Sequence, residues 1–305
     1  MTSYGFGGRL KAEFPSQLII DITEVCNLAC IHCPHPEFKK SEHYGARFLN
    51  ESLNTKAVDE VKEHGAQYIR YCAEGEPLIH PQCYDFLDYA VRNSGTYVTL
   101  TTNGTILNEK RIRKLLHSGL HMIDVSLDAH TPETYSIIRK GGDLNVTREN
   151  VLKLLDWSRD TNTKVVVSYI EQPQNKHETE DFRKYWRESS AHQVVVRRLH
   201  SAAGAIRWAG ASSADRYPCV YPWERIVLNP AGQLKFCPQD WFGGAVVADY
   251  RTTTIKETWG GEFYTKLREA HLQNKCFGVC KDCPDWKQTR WPGQGLSYAD
   301  LMATV

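Results

Sequence analysis

The sequence predicts an α/β fold in which six parallel strands form an open or partial (β/α)6 TIM barrel. Three observations carry this expectation. Short β-branched runs alternate with longer segments between residues 17 and 200, those segments repeat their apolar residues at three and four, and the runs end in polar residues. QLIIDITE (17–24) is the first predicted strand, and NTKAVDEVKEHG (54–65) is the helical pattern that follows it. YIRYCAE (68–74) leads into PQCYDFLDYAVRNSG (81–95), YVTLTTNG (97–104) into NEKRIRKLLHSG (108–119), and MIDVSLDA (122–129) into VTRENVLKLLDWSRD (146–160). Terminal glycines in these patterns suit C-caps. KVVVSYIE (164–171) and QVVVRRLH (193–200) complete the six. Right-handed crossovers gather all the C-terminal strand ends at one mouth, where parallel α/β folds place their chemistry. Beyond residue 200 the stretch SAAGAIRWAGASSADRYP lacks a strand signal and reads as a linker, after which ERIVL, NPAG and QLKFCP suggest a hairpin. The expected division is a barrel over 15–205, a linker over 206–218, a small second domain over 219–290 and a tail over 291–305.

Composition narrows the function. At about 150 residues per domain, 305 residues allow one large or two modest domains. Thirty-seven basic against 36 acidic side chains leave a net charge of +1, which offers no electrostatic footprint for nucleic acid or an anionic membrane. No apolar run approaches the roughly 20 residues that span a bilayer, and the first residues lack a signal-peptide pattern, so a soluble, cytoplasmic protein is expected. In a reducing compartment, the ten cysteines point to metal or redox chemistry rather than a disulfide framework.

The first cysteine group, Cys26, Cys30 and Cys33, has the pattern C-x3-C-x2-C directly after the first strand. Three thiolates at this spacing can hold three irons of a [4Fe-4S] cubane and leave the fourth open; a zinc site completed by His32 or His35 is the alternative. CNLACIHC in this position resembles the signature of the radical SAM superfamily, and the resemblance extends from about residue 17 to 290 through several segments in order. It implies that the open iron chelates the amino and carboxylate groups of S-adenosyl-L-methionine (SAM). Glu74-Gly75-Glu76-Pro77 resembles the family's GGEP segment, implied to hold the methionine amino group through exposed backbone, with Glu74 standing where the family has its first Gly. Thr102-Asn103-Gly104 is similar to the TNG segment, and Val125-Ser126-Leu127-Asp128-Ala129 to ISLDA. Arg139, with Ser126, is implied to take the SAM carboxylate, a planar anion suited to a guanidinium. His32 falls where the family has an aromatic residue near the adenine. The implied SAM-binding set is therefore His32, Glu74, Gly75, Glu76, Asn103, Ser126 and Arg139. Each has an ordinary reading as a turn glycine, strand polar residue or helix charge; four segments in order at the ends of different strands are hard to assign to chance. The implied chemistry is one-electron cleavage of SAM to a 5′-deoxyadenosyl radical, fed by an external electron donor such as flavodoxin or ferredoxin.

In the second group, Cys219 is followed by twelve residues, Gly232, four residues and Cys237, and after a gap of 42 residues by Cys280-Lys-Asp-Cys283. This resembles the SPASM and twitch auxiliary-cluster domains. Cys219, Cys237, Cys280 and Cys283 would hold a second [4Fe-4S] cluster with no open iron, although a zinc ribbon shares the pattern. With no cysteine after Cys283, a twitch-like domain similar to that of aminocyclitol dehydrogenases is expected. Cys276 has three readings: a substitute ligand, a buried hydrophobe, or a hydrogen-atom donor as in neomycin-type epimerases. Cys72 is an alternative donor but reads better as a core thiol, and Cys83 reads as structural.

The function expected is that of a radical SAM oxidoreductase. It abstracts a C–H hydrogen from a small, carbohydrate-like substrate and passes an electron to the auxiliary cluster. A redox-neutral epimerase using Cys276 and a peptide-modifying maturase are the alternatives; about sixteen residues precede the first strand, too few for a leader-binding domain. An iron–sulfur scaffold would leave the SAM-binding segments without purpose. Glu171, Arg197, Arg198 and His200 are expected at the mouth, Arg198 and His200 on one strand face and Arg197 on the other, and their basic character suggests an anionic substrate. Trp241, Phe242, Trp286 and Trp291 are expected to pack around the auxiliary cluster.

Overall fold

The computed structural model describes residues 13–72, 74–206 and 216–288. Six parallel strands follow in chain order: β1 (Gln17–Ile20), β2 (Tyr68–Tyr71), β3 (Tyr97–Thr102), β4 (Met122–Ser126), β5 (Lys164–Glu171) and β6 (Gln193–Arg198). The helices between them are α1 (His35–Phe38), α2 (Glu51–His64), α3 (Cys83–Asn93), α4 (Glu109–His117), α5 (Pro132–Ile138), α6 (Leu144–Ser158) and α7 (Thr179–Glu188). Helix starts are fixed by side-chain caps: Asn50, Asn108, Thr131 and Asp143 each accept an amide proton from the first turn. The expected partial (β/α)6 barrel is thus present.

Every predicted strand except β5 ends earlier than its apolar run and polar tail suggest. The ladder between β1 and β2 stops at Ile20 and Tyr71, so Asp21, Cys72 and the segments after them leave the sheet and become loops at the mouth. Alternation then sorts the side chains. Leu18, Ile20, Ile69, Tyr71, Val98, Leu100, Ile123, Val125, Val165 and Val167 face the helices and form the main core. Tyr68, Met122 and Val166, with Val195 against them, fill the floor of the barrel.

The sheet does not end at β1. After α8 (Tyr221–Glu224), strand β7 (Arg225–Leu228) lies parallel to β1 with Gln17 opposite Arg225, and β8 (Gln233–Lys235) and β9 (Val246–Asp249) extend it antiparallel. The order β6-β5-β4-β3-β2-β1-β7-β8-β9 makes the C-terminal hairpin a continuation of the barrel sheet. The predicted hairpin is therefore present, and Gly232 turns it at φ 76°. Helices α9 (Ile255–Gly260) and α10 (Glu262–Leu272) follow. Among the described residues no helix is long and apolar enough to cross a membrane. Trp291, most of the expected linker and the expected tail lie outside the described residues.

Candidate active site at the mouth of the barrel

The loop carrying Cys26, Cys30 and Cys33 is strapped to the end of α5, with the Ala29 amide donating to the Lys140 carbonyl at 2.9 Å and the Ile31 amide to that of Ile138 at 3.0 Å. Burial pushes the Cys26 thiol up to about 11 and the Cys33 thiol up to about 12, and the three sulfurs act on one another's ionisation. A cationic partner is what would draw out their protons. The His35 amide already points at Cys33 Sγ, 3.5 Å away. The two histidines that could complete a zinc site are engaged elsewhere: His35 Nε2 lies 2.9 Å from the Glu24 carbonyl, while the His32 ring lies 3.5 Å from Asp128 Oδ2 and 3.3 Å from Gln172 Nε2. Among the described residues no three His, Cys, Asp or Glu side chains are grouped closely enough to share one metal ion.

Gly75 is held against this loop. A Cβ on it would come within 2.1 Å of the Val25 carbonyl oxygen, and the Glu76 amide donates to that oxygen at 2.8 Å. The Glu76 carboxylate accepts from the Thr102 hydroxyl at 2.6 Å, the Asn103 amide at 2.7 Å and the Leu78 amide at 3.2 Å, so it joins the ends of β2 and β3. Asn103 reaches the cysteine loop through Asn27 at 3.0 Å. Ser126 ends β4, half-buried. Arg139 is buried and donates to Asp128 at 2.5 Å, while its Nε has no partner. Asp128 itself sits at φ 62° and accepts the Ile170 amide at 2.6 Å. One edge of the Arg139 guanidinium is thus fixed by a carboxylate and an N–H is left over, which suits a second carboxylate such as that of SAM. Glu74 forms a buried ion pair with Lys235 of β8.

Below these loops the inner face of the barrel is polar. Asp124 is fully buried, pairs with Arg197 at 2.7 Å and accepts from Ser168, which Arg197 also contacts. Burial works to raise the Asp124 carboxyl, but Arg197, Arg70 and Ser168 hold it below the usual carboxylate value. Arg70 donates to the Thr101 hydroxyl at 3.1 Å. Asp21 stands beside Cys72, Sγ to Oδ1 3.7 Å, and burial and Glu74 push its carboxyl up to about 8, Lys235 offsetting only part. Two expectations change: Cys72 faces the lumen beside Asp21 rather than the core, and Glu171 accepts from Thr179 at 3.0 Å on the helix side. Arg197 and Arg198 lie on opposite faces, as alternation predicts, Arg197 pointing inward and Arg198 exposed.

Cys219, Cys237, Cys280 and Cys283 line a single cavity, with Arg216 and His271 among its other walls; Cys276 is not part of the lining. These thiols raise one another's pKa on top of burial, which is the largest cause. Cys283 Sγ accepts the Asp285 amide at 3.4 Å, and the Asp285 carboxylate takes the amides of Ser201 at 2.7 Å and Ala203 at 3.1 Å, tying the cavity to the chain leaving β6. Trp286 lines the cavity and meets Tyr217 edge-on, as expected, whereas Trp241 packs on His35 and Phe38 beside the first cysteine loop.

The Radical SAM superfamily profile matches residues 20–185, more than half of the chain. The chain belongs to the radical SAM superfamily. A second profile, the SPASM iron–sulfur cluster-binding domain, matches residues 219–284. This radical SAM enzyme therefore uses SAM and two iron–sulfur clusters. It is 31% identical over 137 residues to a probable GTP 3′,8-cyclase of Methanococcus maripaludis, covering 45% of this chain and 44% of that protein. The chain spans about half the length of the curated relatives it matches. Among solved structures, BtrN in complex with AdoMet and 2-DOIA matches with a TM-score of 0.63 at 16% identity, over 92% of this chain and 96% of that one. Streptococcus suis SuiB bound to precursor peptide SuiA matches with a TM-score of 0.68 at 12% identity, over 98% and 75%.

Several residues of the radical SAM enzyme's site escape a motif-based reading. Asp21 and Asp124 announce themselves only as acidic residues at inward positions of apolar strands, and Lys235 and His271 carry no spacing signal at all.

Proposed function

We propose that the protein is a radical SAM dehydrogenase for a small, polyhydroxylated substrate bearing an anionic group. In this reading Cys26, Cys30 and Cys33 hold the SAM-cleaving cluster and Cys219, Cys237, Cys280 and Cys283 the auxiliary one. When bound and reduced, the cluster and SAM supply a 5′-deoxyadenosyl radical that takes a hydrogen atom from a C–H bond. Gly75 presents backbone to the methionine end, Arg139 and Ser126 take its carboxylate, and Glu76, Asn103 and Asp128 keep these groups in register. His32 borders the adenine side. Arg197, Ser168, Asp124, Arg70 and Thr101 orient the substrate with charge-assisted hydrogen bonds and exclude water from the radical. Flavodoxin or ferredoxin supplies the electron.

The observation that carries the oxidative reading is the cavity lined by four thiols, linked through Asp285 to the barrel's exit at Ser201 and Ala203. Four ligands saturate a cubane, so its role is to carry charge rather than to bind substrate. Of the two buried inward aspartates, burial and Glu74 push the Asp21 carboxyl up to about 8, which leaves Asp124 as the anion facing Arg70 and Arg197, and this balance favours an anionic substrate, in keeping with the nucleotide named in the GTP 3′,8-cyclase relatives. A redox-neutral epimerase is the second reading. Its support is the spare Cys276 thiol, half-buried next to Cys280 yet outside the cavity lining. Anaerobic turnover with aminocyclitols, sugar phosphates and nucleotide sugars tests both. A product two mass units lighter, formed one per 5′-deoxyadenosine, supports dehydrogenation; an isomer of unchanged mass in ordinary water, one unit heavier when formed in heavy water, overturns it.

A further inference from the structure

The auxiliary cavity contains two hydrogen-bond donors with nothing to donate to. His271, in the last turn of α10, is 3% exposed, and its Nδ1 accepts the Cys219 amide proton at 3.3 Å. With Nδ1 serving as acceptor, the neutral ring carries its proton on Nε2. Nε2 is buried without a partner. Arg216 uses Nη1 on the Lys281 carbonyl at 3.1 Å, and its Nε is likewise buried and unmatched. Both side chains line the cavity whose remaining polar groups include the four thiols. Buried N–H groups are rarely left unpaired, and two unmatched donors on side chains that line one cavity ask for an acceptor that fills it.

We infer that the His271 Nε2–H, seconded by Arg216 Nε–H, donates to sulfur of the auxiliary cluster and raises its reduction potential. The inference rests on the four thiols being that cluster's ligands. A ligand role for His271 is disfavoured by the same hydrogen bond that fixes its tautomer, because a coordinating Nε2 would have to shed its proton while Nδ1 stayed occupied by Cys219. Donation to sulfur favours the reduced form, which carries one more negative charge, and hydrogen bonds to the sulfurs are among the factors that set iron–sulfur potentials. An acceptor of the substrate's electron must be able to reach that reduced form. His271 is thus a tuning residue, acting through the cluster rather than on substrate.

The experiment is a redox titration of the cluster-loaded full chain followed by electron paramagnetic resonance, with no substrate present. The auxiliary signal is the one that added SAM leaves unchanged. His271→Leu should hold about eight irons and shift the auxiliary potential to more negative values. His271→Gln should stay near wild type, since its amide can accept from Cys219 and donate into the cavity. His271→Asn, whose shorter amide withdraws the donor, should shift in the same direction as the leucine variant and serves if that variant loads poorly. An unshifted potential in fully loaded His271→Leu or His271→Asn overturns the inference, as does loss of about four irons in His271→Gln. A wild-type chain holding only about four irons would instead overturn the underlying cluster reading.

Discussion

Asp21 leaves the end of β1 on the inner face of the barrel, buried, sharing Lys235 with Glu74 and with Arg70 as a weaker cationic influence. Its carboxyl, ordinarily near 3.8, is pushed up to about 8 by burial and Glu74. A raised carboxyl means that the folded chain binds one more proton than the unfolded chain between these values. The stabilising contribution is therefore complete at the acid end of that window and is lost as pH rises toward 8. Relative to Asp21→Asn, the wild-type chain should lose up to about 1.4 kcal/mol of stability per pH unit between pH 6 and 8. Anaerobic urea denaturation of both cluster-loaded chains at several pH values measures this, and parallel curves would exclude it. What the sequence discloses at this scale follows chemistry that spacing can encode. Cys26, Cys30 and Cys33 are legible because one short loop must supply three ligands. His271 is not, since its role arises from meeting Cys219, 52 positions away, and a single histidine in an amphipathic helix looks like any other.

At the scale of elements, the loop after β2 and strand β8 are joined by Glu74 and Lys235, both under a tenth exposed. Glu74 occupies the position where the resembling families have glycine, and the structure supplies the reason: its carboxylate is needed by a lysine from the C-terminal hairpin, two residues before Cys237. Breaking one side of a buried pair strands the other charge, so Lys235→Met should cost about 3–5 kcal/mol. Adding Glu74→Gly removes the stranded carboxylate and should recover most of that stability, along with SAM affinity measured by equilibrium binding. Two single variants whose effects simply add would mean that the residues are not coupled. The six barrel strands are readable from alternation and β-branched runs. The parallel pairing of β7 with β1 and the short β9 are not, because register between distant segments is decided by packing rather than by local pattern.

Across the whole molecule, two cysteine sites lie on one continuous sheet, one at the ends of β1 and α5 and the other beyond β8, with Asp285 linking the second to the exit of β6. Such a frame predicts separable functions on a shared scaffold. Reconstituted wild-type chain should carry about eight irons. Cys26→Ala should remove about four and abolish SAM cleavage. Cys237→Ala should also remove about four yet leave SAM cleavage running, uncoupled from oxidised product, because the SAM-binding loops draw on Val25, Asp128 and the ends of β2 and β3 rather than on the auxiliary cavity. Cys276→Ala then separates the two reactions. A dehydrogenase passing its electron to a four-thiol cluster has no need of a thiol outside the cavity lining, and its turnover should be unchanged; loss of product with continued 5′-deoxyadenosine formation would make Cys276 a hydrogen donor and the reaction an inversion.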